Sequence, residues 1–155
     1  MKRIYMDNAA TTRVTQPVLE AMTPCLTDVY GNPSSVHSFG RDARRLLDTV
    51  ASRHLKMILD PANLFLPGTA RPENVRPTLR HAFDLFGGDI VLAHGKDIHA
   101  GDGIDFCATG EGIVDYPYLA ALLSEIGFTG DMMLHGIYEE EKFASARRFW
   151  ESVRA

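Results

Sequence analysis

Leu55-Lys56-Met57-Ile58-Leu59-Asp60, Ile90-Val91-Leu92-Ala93-His94 and Met132-Met133-Leu134-His135 decide how this chain reads. Each is a short apolar run that ends in a residue able to hold a metal ion. A helix-like segment follows each run. Strand, polar tip, helix, repeated, is how α/β proteins gather chemistry at the carboxyl edge of a parallel sheet. On that reading Asp60, His94 and His135 form a set of two histidines and one carboxylate on neighbouring strand ends. The set suits Mn, Fe(II), Co or Zn, with positions left for a substrate. Each residue also has a plain structural reading, Asp60 as a cap or loop acceptor and the histidines as hydrogen-bonded strand ends.

Outward from the tips, strands are expected over 54–60, 89–93 and 131–134. Arg76 to Phe86 reads as a helix with Leu79, Ala82, Phe83 and Phe86 on one face and Gly87-Gly88 as its stop. Tyr116 to Ile126 is a second helix, with Leu119, Leu122, Leu123 and Ile126 inward and Gly127 closing it. Glu139 to Val153 is a third, burying Phe143, Ala146, Phe149 and Trp150. Residues 94–115 form a long polar loop with five glycines, a length usually reserved for functional segments. Asn63 is placed to donate to a substrate hydroxyl or to hold its own turn. Lys96 and Asp97 either grip a substrate or pair with each other. Glu111 and Asp115 are loop carboxylates, and Asp115 also suits a helix cap.

The totals narrow the function classes. At 155 residues one domain is expected, with an appended arm. A hydrophobic share of 45% and a charged share of 23% mark an ordinary globular composition. A net charge of −4 argues against nucleic acid, which needs a basic face. Cys25 and Cys107 form no paired motif, so a reducing cytoplasm is the expected location. No apolar run approaches the length of a membrane span. Before the first strand, Thr15 caps a helix carrying Val18, Leu19, Met22 and Leu26, and Ile4-Tyr5-Met6 is a short strand. Ser38 to Ser52 reads as a helix with Ala43, Leu46, Leu47 and Val50 on one face. Arg41, Arg44 and Arg45 form a solvated face.

Two stretches near the start carry a resemblance. Tyr5-Met6-Asp7-Asn8-Ala9-Ala10-Thr11-Thr12 and Tyr30-Gly31-Asn32-Pro33-Ser34-Ser35-Val36-His37-Ser38-Phe39-Gly40-Arg41 resemble the amino terminus of cysteine desulfurases. Those enzymes use pyridoxal phosphate to take sulfur from cysteine. The resemblance ties Asn8 and His37 to cofactor-side architecture. The family's later motifs, a Thr-Glu pair, a Ser-x-His-Lys string and a mobile catalytic cysteine, have no match here. Lys56, Lys96 and Lys142 lie in other contexts, so pyridoxal phosphate is not expected to be bound.

From about residue 43 a second resemblance takes over. Leu59-Asp60-Pro61-Ala62-Asn63-Leu64, His94-Gly95-Lys96-Asp97, Gly110-Glu111-Gly112 with Asp115-Tyr116, and Gly127-Phe128-Thr129-Gly130 look like the sugar-phosphate isomerase/epimerase family. The resemblance implies a xylose isomerase-like TIM barrel whose members hold a divalent metal at the strand ends. Asp60 and His94 match two of its metal positions. His135 falls where many members carry a glutamate, and the glutamate of an earlier strand has no counterpart.

The expected fold is therefore α/β: partial TIM-barrel-like βα units, three parallel strands with helices, plus an N-terminal helix and loop arm. The expected division is 1–42, desulfurase-like, and 43–155, isomerase/epimerase-like. The expected function is a truncated or chimeric sugar-phosphate isomerase/epimerase-like protein with a metal site, a small sugar or sugar-phosphate ligand, and weak or no catalysis. The alternatives are a remnant of a cysteine desulfurase and a non-catalytic interaction module or artificial fusion. An open parallel sheet predicts self-association.

Overall fold

The computed structural model describes residues 15–17, 19, 20, 23, 44, 45 and 47–154. The strand expected at Ile4-Tyr5-Met6, the loop at 30–35, and Asn8, Cys25, His37 and Arg41 lie outside the described residues. So does most of the arm.

Three parallel strands carry the architecture. They are β1 (Met57–Leu59), β2 (Ile90–Gly95) and, after two short strands described below, β5 (Asp131–Leu134). The sheet order is β1-β2-β5. Leu59 pairs in register with Ala93, Ala93 with Met132, and His94 with Met133. Met57, Leu59 and Ala93 are buried. That face packs on α1 (Pro72–Phe86), α2 (Tyr116–Glu125) and α3 (Glu140–Val153). Val75, Leu79, Ala82, Phe83 and Phe86 of α1 recur at helical spacing and enter one core with Leu119, Leu122 and Leu123 of α2 and Trp150 of α3. The architecture is mixed α/β, and the described strands form an open sheet.

The differences from the sequence reading have local causes. α1 begins four residues before Arg76. Pro72 stands in its first turn, where a missing N–H is harmless, and Pro77 interrupts a single bond near the start. β2 runs through His94 to Gly95. The stretch expected to be a loop holds a two-stranded antiparallel hairpin, β3 (Asp97–Ile98) and β4 (Phe106–Cys107). Phe143 is exposed, because α3 buries only its later residues Ala146 and Trp150. Asp115 caps α2 as expected, accepting from the Tyr118 N–H at 3.0 Å.

Arg44 leaves the solvated face expected of it. Its guanidinium donates to Asp89 Oδ2 at 2.6 Å, to the Leu85 carbonyl at 3.4 Å and to Asp48. Lys56 reaches the other oxygen of Asp89 at 3.0 Å. The helical segment at 47–50 is thereby tied to the root of β2, and its Leu47 joins the core.

The opposite face of the sheet is bare. Ile58 and Met133 are 48% and 52% exposed. Among the described residues no helix is long and apolar enough to cross a membrane.

Two predictions follow from this architecture. Arg44, then Lys56, holds the Asp89 carboxyl below its ordinary value. That contribution is complete above the unfolded-state pKa of about 4 and is lost as pH falls through the lower folded value. Arg44→Met is therefore expected to lower stability by about 1 kcal/mol at pH 7 and by less at pH 3, read from urea midpoints at both pH values. The bare apolar face predicts association, and sedimentation at rising concentration should show mass above the monomer. A monodisperse monomer with a sharp thermal transition is the contrary result.

Candidate metal centre

Asp60 leaves β1 and caps the 3-10 turn Pro61–Leu64, with its Oδ1 accepting from the Asn63 N–H at 3.2 Å. The cap reading holds for this residue. One oxygen holds the turn and the other, Oδ2, faces the neighbouring strand ends. His94 Nδ1 lies 3.4 Å from Asp60 Oδ2, and His135 Nε2 lies 3.1 Å from the same oxygen. The rings of the two histidines meet edge to face at 4.3 Å. Parallel pairing produces this convergence. His94 sits opposite Met133, and His135, one step past β5, donates its N–H to the Gly95 carbonyl at 3.1 Å. Among the described residues this is the group of three donors that could hold a metal, with ligand atoms all within 4.8 Å of one another. Ligands arranged tetrahedrally around an ion at roughly 2.1 Å stand about 3.4 Å apart, so the spacing fits a shared ion. The donor set, one carboxylate oxygen and two imidazole nitrogens, suits a borderline divalent metal.

Lys96 and Asn63 complete the cluster. Lys96 Nζ donates to Asn63 Oδ1 at 2.7 Å and lies 3.2 Å from Asp60 Oδ2. Asn63 Nδ2 donates to that same Asp60 oxygen at 3.1 Å. The Lys96 ammonium also stands 3.8 Å from the centre of the Phe106 ring. Phe106 was missed in the sequence. The available signal was an aromatic residue inside a stretch otherwise polar enough to read as loop.

Asp97 is set apart from this group. Adjacent residues on an extended strand point opposite ways, so Lys96 and Asp97 do not pair. Asp97 is fully buried. Its Oδ1 accepts from the Ile98 and Val114 N–H groups at 2.9 Å, and its Oδ2 from the Gly110 N–H at 3.1 Å. Both oxygens hold the return of the 97–115 excursion. Burial pushes its carboxyl above the ordinary value, opposed by those backbone donors. A Cβ at Gly112 would lie 2.3 Å from Asp97 Oδ1, so the loop closes only over a glycine. Tyr116, also fully buried, donates its hydroxyl to the Lys96 carbonyl at 2.9 Å and pins the backbone between the two roles.

The remaining candidates have other partners. Glu111 accepts from Lys142 at 3.2 Å, and Asp115 from Arg76 at 2.7 Å. Lys56 pairs with Asp89. His99 faces Asp105 at 2.9 Å on the exposed loop. A cleft of about 500 Å³ lies between α2 and α3, lined by Ala120, Ser124, Phe128, Trp150 and Arg154, and includes none of the cluster. Convergence of donors marks the site better than concavity does. The cluster opens beside exposed Met133 on the bare face of the sheet.

Comparison with known proteins gives two findings. The family described as "Xylose isomerase-like TIM barrel" matches residues 6–153. Curated relatives match over shorter spans. A cysteine desulfurase of Klebsiella pneumoniae is 60% identical over 48 residues, 31% of this chain and 12% of the relative. A cysteine desulfurase of Nostoc sp. is 62% identical over 40 residues, 26% of this chain and 10% of the relative. One from Sinorhizobium fredii is 42% identical over 78 residues, 48% of this chain and 20% of the relative. The chain thus spans a fifth or less of the length of these relatives.

The Asp97 arrangement generates a stability prediction. Asp97→Ala orphans the buried Ile98 and Val114 donors and frees the part-buried Gly110 N–H, and is expected to lower stability by about 3 kcal/mol in urea unfolding. A loss below about 0.5 kcal/mol would show that water replaces the carboxylate at no penalty.

Proposed function

The chain belongs to the xylose isomerase-like TIM barrel family, and from that premise we propose that Asp60, His94 and His135 hold a divalent metal facing a small sugar or sugar-phosphate. The observation that carries the reading is the approach of both imidazole nitrogens to one oxygen of Asp60, at 3.4 and 3.1 Å. The metal is drawn from Mn, Fe(II), Co and Zn. A bound ion of this kind supplies charge that stabilises a carbonyl oxygen while the neighbouring carbon loses a proton. Asn63 and Lys96 stand beside the three donors as the polar contacts for a ligand. Asp97 acts at one remove, by fixing the loop that follows Lys96.

Isomerisation or epimerisation also needs a group that takes and returns a proton. Among the described carboxylates near the strand ends, Asp60 is in the donor set and both Asp97 oxygens serve the backbone. Glu111 pairs with Lys142, and Asp115 with Arg76. This supports a metal-binding, isomerase/epimerase-like protein of weak or no turnover.

A chimera divided into a desulfurase-like part, 1–42, and an isomerase-like part, 43–155, belongs to this first reading. A second reading, a remnant of a cysteine desulfurase, has its support in the desulfurase identities. As a remnant desulfurase it would require pyridoxal phosphate, and would show a new absorption band when that cofactor is added. Lys96, the buried lysine of the described residues, lies against a carboxylate and a carboxamide, surroundings ill suited to a phosphate. A non-catalytic interaction module, using the bare face of Ile58 and Met133, would show neither cofactor band nor metal.

Metal analysis of protein prepared without a histidine tag separates these readings. About one equivalent of divalent metal is expected after loading with Mn²⁺ or Zn²⁺, and it should be lost in Asp60→Ala and His94→Ala. Equal metal content in all three proteins would remove the cluster from consideration.

A further inference from the structure

The Lys96 ammonium shares its acceptor with the metal donor set. Its Nζ is 3.2 Å from Asp60 Oδ2, the oxygen that His94 and His135 also approach. It is no loose surface cation. The side chain is 8% exposed, donates to Asn63 Oδ1 at 2.7 Å and lies over the Phe106 ring. Its stem runs past Gly136, where a Cβ would stand 3.0 and 3.1 Å from Lys96 Cδ and Cγ. Gly136 has φ +71°, so the missing side chain and the left-handed turn together leave the stem its channel.

The charges follow from this geometry. Asp60 contributes one negative charge, and imidazoles ligate metals as neutral rings. The ammonium already balances that carboxylate. A divalent ion added beside it would meet a like charge within a few ångströms in a half-buried site, where Coulomb repulsion is strong. We infer that Lys96 is the resident counter-charge of Asp60 and that a metal ion must displace it, so that a competition between ammonium and ion sets metal affinity. The inference rests on the metal reading of the cluster and assigns its regulation to a residue within it.

The test is calorimetric titration of Zn²⁺ into the metal-stripped full chain, beside thermal unfolding with and without Zn²⁺. Lys96→Met keeps the apolar stem and removes the charge. It is expected to bind Zn²⁺ at least about tenfold more tightly than the wild type. Its metal-free form should melt lower and its metal-induced rise in Tm should be larger. A lysine with a merely structural role would lower both melting points equally. Phe106→Leu, at a 40% exposed position, loosens the ammonium without removing it and should tighten binding by roughly two- to tenfold. It provides the same readout should Lys96→Met fail to fold. Unchanged or weaker affinity in the folded variants overturns the inference and leaves the metal site standing. Absence of Zn²⁺ binding in wild type and variants alike overturns both.

Discussion

Asp60 Oδ2 lies within 3.4 Å of four nitrogen atoms, those of Asn63, His94, His135 and Lys96. A buried carboxylate needs such partners, since removal from water is otherwise strongly unfavourable. The residue is 4% exposed, and its four partners come from the ends of two other strands and from the turn it caps. Their meeting point depends on the β1-β2-β5 order and on register. A one-residue slip of β5 against β2 would turn His135 to the other face and leave the carboxylate with fewer partners. The polar cluster and the sheet therefore specify each other.

The segment after β2 divides its duties between adjacent residues. Lys96 turns toward the cluster and Asp97 toward the inside of the following loop, because an extended backbone alternates its side chains. Asp97 gathers the Ile98, Gly110 and Val114 N–H groups, and so one carboxylate closes the stretch. Tyr116 at the start of α2 joins the two halves through the Lys96 carbonyl. A loop ordered in this way can hold Phe106 against the lysine, which a solvated loop could not.

The family match and the desulfurase likeness bear on different lengths of chain. The first runs over 6–153, while the curated identities cover from about a quarter to a half of the sequence. The described residues include the Asp60, His94 and His135 group that could hold a metal. Their sheet exposes Ile58 and Met133 on the same side as the donor cluster, so the polar site sits at the rim of an apolar face.

The sequence by itself determined the three parallel strands, their polar tips and the three following helices. Those features are written in local patterns: short apolar runs, helical spacing in Leu79, Ala82, Phe83 and Phe86, and Gly127 or Asp115 at helix ends. It also determined that Asp60, His94 and His135 would lie on strand ends. Only the tertiary structure decided that they share one oxygen, that Lys96 joins them, that Asp97 does not, and that Arg44 leaves solvent for Asp89. Each of these is a contact between residues distant in the chain or a choice between two faces of a strand. Such choices follow from strand order, register and the desolvation of charge, none of which is carried by neighbouring residues alone.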